Sequence, residues 1–205
     1  GAIVDLEQDG EGNESFVNQT GAGAIVEVTQ SDTGNLSRVT QAAAGARVIV
    51  DQDGTGNESR VDQAGADVLV DVEQDGVSNL SVVQQAAANS TINVIQDGND
   101  NDSLVIGVAE ASDVTVRQTG GNLNQATVNQ FDASEQVVIP ASRVCIGRFC
   151  VTTPASTITN PFVNENQSAT ITQEGSDNTG SIAQYGRNQV ATITQIGDVN
   201  SAGAS

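Results

Sequence analysis

Histidine, lysine, methionine and tryptophan are all missing from this chain, and aromatic residues make up 2% of its 205 positions. Without His there is no Ser-His or Cys-His nucleophile arrangement, and without Lys there is no phosphate loop of the Walker type. So few aromatics exclude a large globular core of the usual kind. Cations are scarce as well: seven Arg stand against 26 acids, giving a net charge of −19. A surface built to hold nucleic-acid phosphates is therefore excluded. No run of 18 or more apolar residues is present, so no segment reads as a membrane-spanning helix. The missing initiator Met and signal segment point to a processed or trimmed chain. Proline and cysteine are confined to one stretch, at Pro140, Cys145, Cys150, Pro154 and Pro161.

What is abundant is periodic. Gln8, Gln19, Gln30, Gln41, Gln52, Gln63, Gln74, Gln85 and Gln96 recur every 11 residues, and Asn13, Asn35, Asn57, Asn79 and Asn101 every 22. The unit is therefore 22 residues, a period typical of stacked supersecondary units. In phase with it run two apolar columns, Val17, Val39, Val61, Val83, Val105 and Leu6, Val28, Val50, Val72, Val94. A serine column, Ser15, Ser37, Ser59, Ser81 and Ser103, runs beside them.

Constant and variable positions alternate with period two, which predicts two strands per unit, each with one buried face. In the first unit Ala2, Val4, Leu6 and Gln8 point inward on one strand, and Asn13, Ser15, Val17 and Gln19 on the other. Asp9-Gly10-Glu11-Gly12 and its copies supply glycine where the turn needs positive φ. The opposite turn is made of small residues such as Ala42-Ala43-Ala44-Gly45.

One such unit has no backbone partners until another stacks on it. The expected fold is thus all-β, a two-sheet β-solenoid with a narrow seam of Val, Ile and Leu between parallel sheets. Buried Gln and Asn are affordable there because identical amides one rung apart can donate and accept in a ladder. These columns also fix register, since a slip of one residue would expose valine and break every ladder.

The pattern Gln-x-Gly-x-x-Asn-x-x-x-x-x-Gln, read at Gln8/Gly10/Asn13/Gln19, Gln52/Gly54/Asn57/Gln63 and Gln74/Gly76/Asn79/Gln85, resembles the curlin repeat of curli fibre subunits. Asn124-Gln125-Ala126-Thr127-Val128-Asn129-Gln130 and Gln173-Glu174-Gly175-Ser176-Asp177-Asn178 are similar to it too. The resemblance implies a secreted bacterial protein, located outside the cell, that polymerises into cross-β amyloid fibres of biofilm matrix. Its implied partners are further copies of itself, a nucleator and secretion machinery of the curli type.

The repeats span 1–130 and 166–205, separated by a non-repetitive insertion over 131–165. Asp32 stands at a glycine position, Gly107 at a glutamine position, and the step from Gln118 to Asn124 is one residue long. Periodicity returns at Gln173, Gln184 and Gln195. The last unit is expected to stop before its second valine and glutamine positions. Inside the insertion, Cys145 and Cys150 enclose four residues, so they face each other at the base of a hairpin within disulfide reach. An oxidising exterior favours the bond, and free thiols or a reduced metal pair are the rival reading.

Acids line the outer face of the first strands at Asp5, Glu7, Glu27, Asp51, Asp71 and Glu73, and stack at the turn as Asp9, Asp53, Asp75 and Asp97. They read as a solvated surface that keeps the fold soluble, with bound Ca²⁺ as the alternative. Asp51-Gln52-Asp53-Gly54-Thr55-Gly56 partly fits an EF-hand loop but lacks flanking helices and the final Glu. Asn13, Asn35, Asn57, Asn79 and Asn101 all begin Asn-x-Ser glycosylation triplets, yet they lie on the buried face. The carboxylates follow the repeat instead of forming one cluster, so no enzyme activity is expected, and no cofactor or metal site.

The expectation is seven full turns and a partial eighth, polymerising end to end. The junction would lie between Ala2, Val4, Leu6 and Gln8 of one chain and Gln189, Ala191, Ile193 and Gln195 of the next. The alternative is a monomeric solenoid that binds Ca²⁺, a glycan or a surface through its regular face.

Overall fold

The computed structural model describes residues 1–107, 109–131, 166–186 and 188–205, with the backbone alone of four short strands between 137 and 158. Strands come in pairs, one pair per rung. The first six rungs are β1 (Ile3–Gln8) with β2 (Glu14–Gln19), β3 (Ile25–Gln30) with β4 (Leu36–Gln41), β5 (Arg47–Thr55) with β6 (Glu58–Gln63), β7 (Leu69–Val77) with β8 (Leu80–Gln85), β9 (Thr91–Asn99) with β10 (Asp102–Gly107), and β11 (Asp113–Asn122) with β12 (Gln125–Phe131). In the insertion β13 (Val137–Ile139) pairs antiparallel with β16 (Ser156–Ile158), and β14 (Ser142–Ile146) with β15 (Phe149–Thr153). Two further rungs follow, β17 (Ser168–Glu174) with β18 (Thr179–Tyr185) and β19 (Val190–Ile196) with β20 (Ser201–Ala204).

The odd-numbered solenoid strands form one parallel sheet of eight and the even-numbered ones another. Each strand pairs with its copy one unit on, Val26 with Val48 and Val39 with Val61, so every column of the sequence becomes a column in space. Between the sheets lies a dry seam of Val26, Val28, Val39, Val48, Val50, Val61, Val70, Val72, Val83, Ile92, Val94, Val105, Val114, Val116, Val128, Ile171 and Ile182, all buried. Burying each such side chain stabilises the stack by about 1.5–3 kcal/mol.

Register survives both irregularities. The extra residue after Gln118 is absorbed as a bulge between Gln118 and Gly121. Across the insertion β11 pairs directly with β17 and β12 with β18, so Gln118 meets Gln173 and Gln130 meets Gln184. Phe131 belongs to β12 and pairs with Tyr185, which moves the start of the insertion one residue later than the sequence suggests. The two rings stack with centroids 5.5 Å apart.

At the last rung the expected stop is corrected. β20 pairs Ala204 with Ile182, so an alanine occupies the second valine column, and only the glutamine position lacks a residue.

The turns explain the glycines. Gly54, Gly76 and Gly98 all have positive φ, and a side chain on any of them would collide with the carbonyl oxygen of the next rung's turn. Both conformation and close approach therefore require glycine there. Asp32, at the same position in the second rung, adopts φ 64°, a left-handed conformation that Asp tolerates.

Candidate functional site

The repeated residues converge on the seam. In the first sheet an unbroken glutamine ladder runs the length of the stack. Nε2 of Gln8 donates to Oε1 of Gln30 at 2.6 Å, Gln30 to Gln52 at 2.7 Å, and Gln52 to Gln74 and Gln74 to Gln96 at 2.8 Å each. The ladder continues from Gln96 to Gln118 and Gln118 to Gln173 at 3.0 Å, then Gln173 to Gln195 at 2.9 Å. Each amide also ties the two sheets together, because Nε2 of Gln74 donates to the Glu58 carbonyl at 3.1 Å and Nε2 of Gln195 to that of Thr179 at 3.0 Å. Both amide protons are thus used in every interior rung.

The second glutamine column does not form the ladder expected of it. Gln19 donates to Gln41 at 2.8 Å and Gln130 to Gln184 at 2.9 Å, but between them the chain of bonds is broken. Gln63 donates instead to the Gly65 carbonyl and Gln85 to that of Ala87, leaving Nε2 of Gln41 and Oε1 of Gln63 buried without partners. At Gln85 the reason is Gly107, its partner on the next rung, which offers no amide oxygen to accept from it.

Asparagine does something other than the simple amide ladder read from sequence. Oδ1 of each Asn accepts the backbone N–H of the Asn one rung on: Asn13 from Asn35 and Asn35 from Asn57 at 2.9 Å, Asn57 from Asn79 and Asn79 from Asn101 at 3.0 Å. Nδ2 clamps the glycine turn, that of Asn57 donating to the carbonyls of Asp53 at 2.8 Å and Gly76 at 3.2 Å. Asn35, Asn57, Asn79 and Asn101 are buried, which places these Asn-x-Ser triplets inside the fold. The serine column is different: the hydroxyls of Ser15, Ser37, Ser59, Ser81 and Ser103 are buried with no hydrogen-bond partner.

At the first rung the core columns open to solvent. Val4 and Leu6 are 46% and 47% exposed, and Val17 is only partly buried, because β1 and β2 are the edge strands of the two sheets. Leu6 is therefore a core residue by column and a surface residue in the single chain. At the other end Ile193 and Gln195 are buried while Ala191 and Gln189 are partly buried. Val190, Ile196 and Val199 project there as exposed apolar side chains.

The acidic columns are diluted by other residues. Asp53, Asp75 and Asp97 do stack in register, but Asp71 lies between Ile49 and Asn93, and Glu27 is paired with Arg47 at 2.7 Å. Burial, followed by the neighbouring Asp53 and Asp71 charges, raises the Asp51 carboxyl above its ordinary range. Burial also raises Asp71, against the pull of Arg47. The segment that imitates an EF-hand is strand at Asp51 and Asp53 and turns at Gly56. Among the described residues no three His, Cys, Asp or Glu side chains converge as a metal site.

Sequence reasoning missed the outer face of the second sheet. Leu80, Val82 and Leu104 form a second apolar cluster there with Ile106 against it, and Asp102 beside them is pushed up to about 6 by burial and then by Asp100. The signal was present as consecutive apolar residues in Leu80-Ser81-Val82-Val83 and Leu104-Val105-Ile106, where outward positions should be polar. Cys145 and Cys150 are opposite one another in the β14–β15 register, but their side chains, and with them the expected disulfide, lie outside the described residues.

A family model, the curlin associated repeat, matches the chain five times, at residues 4–31, 46–76, 65–98, 165–197 and 175–205. The chain belongs to the curlin repeat family. Each match takes in at least one ladder glutamine, and the insertion between 131 and 164 falls outside all of them. No curated protein and no solved structure matched the chain. Its curlin repeats correspond to solenoid rungs, and the hydrogen-bonding columns of the seam are the residues that define the repeat. Among the described residues no helix is long and apolar enough to cross a membrane.

Proposed function

We propose that this curlin-repeat chain is a structural subunit of an extracellular, curli-type amyloid fibre of biofilm matrix, and that it polymerises end to end through its first and last rungs. The observation that carries this reading is the polarity of the seam. Every interior glutamine of the first sheet's ladder uses one amide proton on the facing sheet and one on the next rung, whereas Gln195 uses only the first. Oε1 of Gln8 lacks the donor that Oε1 of Gln30 receives from Gln8. A second copy laid with its β1 on β19 would join these two amides, and the Asn13 N–H would meet Oδ1 of Asn200. The same step would cover Val4 and Leu6, about half exposed in the single chain, and complete the burial of Val17. The two unpaired edges also supply the backbone groups for strand addition.

Electron microscopy and fibre diffraction of the purified chain test the reading. Fibres should form without any cofactor and give reflections near about 4.7 Å along the axis and about 10 Å across it. Replacing both Val4 and Leu6 with Asp should slow elongation at least tenfold while leaving the interior rungs folded. A wild-type chain that stays monomeric for days at neutral pH and moderate salt would favour the rival, a monomeric solenoid that binds a glycan or a surface.

A further inference from the structure

Of the seven Arg in the chain, two stand side by side on the outer face of the second sheet. Arg38 on β4 pairs directly with Arg60 on β6, so like charges sit one rung apart. Both are exposed, since Ser37, Val39, Ser59 and Val61 take the inward positions beside them. Arg60 forks onto Asp62 of its own strand, Nε at 3.0 Å and a terminal nitrogen at 2.7 Å, and keeps further donors to spare. Arg38 lies over the Phe16 ring at 5.7 Å instead, and among the described residues no carboxylate is within ion-pair distance of it. Like charges directly opposite on a sheet are unfavourable, so this column is costly to the single chain.

The outer face of the first sheet carries the complement. Asp51 on β5 and Glu73 on β7 are paired in register and exposed. Arg47, on the same strand as Asp51, is engaged by Glu27 at 2.7 Å. Burial, then the charges of Asp53 and Asp71, hold the Asp51 carboxyl above its ordinary range, so this face is short of cations. Each pair sits on adjacent rungs of a parallel sheet, so both repeat at the same spacing of about 4.8 Å. Two guanidiniums on one face can therefore meet two carboxylates on another with no change of backbone. Sheets packed face to face lie about 10 Å apart, a gap that an Arg side chain and a carboxylate span together. Beside the two pairs, Phe16 and Leu69 are 54% and 37% exposed and offer apolar surface to the same contact.

We propose that the Arg38 and Arg60 pair of one copy docks on the Asp51 and Glu73 pair of a second copy, joining fibres of this chain side by side through unlike faces. The two patches lie on different sheets, facing opposite ways, so they cannot meet within one chain. The contact is heterologous and continues from fibre to fibre as a ribbon. A net charge of −19 drives copies apart at long range, but physiological salt screens that repulsion beyond about 8 Å and leaves pairs in contact. One exposed ion pair is weak, so unassembled chains stay apart, and only fibres, which repeat the contact at every subunit, associate. This inference rests on the fibre proposed above.

The test compares fibres of the wild type, Arg38→Glu and Arg117→Glu by electron microscopy in about 0.15 M salt. Arg117 is exposed on the outer face of the first sheet, and the two variants have the same net charge, so Arg117→Glu reports general repulsion alone. Arg38→Glu should cut the share of fibre length lying in side-by-side ribbons at least about fivefold, and Arg117→Glu should leave it near wild type. A second measurement uses the absence of lysine from the chain. In Arg38→Lys fibres grown from ¹⁴N and ¹⁵N chains and then mixed, carbodiimide should couple position 38 to peptides holding Asp51 or Glu73, with mixed-isotope products among them. Ribbons that survive Arg38→Glu, equal loss in both variants, wild-type fibres that stay single, or no coupling from position 38 to those peptides would each overturn the contact and leave the fibre itself standing. A wild-type chain that forms no fibres would overturn the fibre reading, and this contact with it.

Discussion

Gln85 turns its amide into the space beside Gly107, where a side chain on that glycine would collide with Oε1 of Gln85. Its amide bonds to the Ala87 carbonyl instead of to a neighbouring rung, and Gln63 and Gln41 on the preceding rungs are out of the ladder too. The missing side chain at Gly107 leaves a gap between Gln85 and Gln130, while the first column, with Gln at every rung, is continuous.

Gly107→Gln should therefore stabilise the fold. The clash is with the movable end of a glutamine side chain, so Gln85 can swing back and both amides can enter the ladder. The expected gain is about 1–2 kcal/mol, from restored bonds and two buried polar atoms given partners. Urea unfolding of the unassembled chain measures it, and a midpoint at or below wild type would show that the break at Gly107 is favourable as it stands.

Asn57 and Ser59 are neighbours on one buried face with opposite expected sensitivities. Asn57 accepts the Asn79 N–H and donates to two turn carbonyls, so Asn57→Ala strands three backbone groups and should cost about 3–4 kcal/mol. The Ser59 hydroxyl is buried without a partner, so Ser59→Ala should be neutral or stabilising by up to about 1 kcal/mol. Thermal unfolding of the two variants side by side decides. Equal losses would mean that the serine column carries hydrogen bonds of its own.

Most of the fold was legible because a solenoid turns sequence period into spatial column. Once Val17, Val39 and Val61 share a column, their strands have no other register, and the bulge after Gln118 is the one-residue surplus seen in the spacing. The chemistry within the columns was less legible. Period places Asn57 and Gln63 on one face, but it does not say that Asn reaches the turn carbonyls while Gln crosses to the other sheet. That difference comes from one methylene and from distance to the glycine turn. Nor does period alone show that Leu80 and Leu104, on the outward face, are buried.

Val61→Asp should abolish folding or reduce stability by more than about 4 kcal/mol, because Val61 is fully buried between two valines and an unpaired carboxylate there has no partner. Arg60→Asp, one residue away, replaces the cation of an exposed pair with Asp62. Its cost should stay near about 1 kcal/mol, mostly from carboxylate repulsion. Circular dichroism and urea midpoints measure both, and similar losses would contradict the assignment of inner and outer faces.

Asp102 makes the stability of the chain depend on pH. Burial and then Asp100 raise its carboxyl from 3.8 to about 6, so the folded state holds the proton more tightly than the unfolded chain does. The stability linked to that proton is fully present below about pH 4 and is lost as pH rises from about 4 to about 6, after which the deficit is constant. Asp51 and Asp71 are raised also, so they act in the same direction. Linkage sets an upper limit of about 3 kcal/mol for Asp102, and partial contact of its carboxyl with solvent lowers this to about 1–2 kcal/mol. Asp102→Asn should raise the unfolding free energy read from urea curves by that amount at pH 7.5 and leave it unchanged at pH 3.5, where the wild-type carboxyl is already neutral in the fold. A variant that gains nothing at pH 7.5, or gains equally at both pH values, would show that the charge of Asp102 is not what the folded state resists.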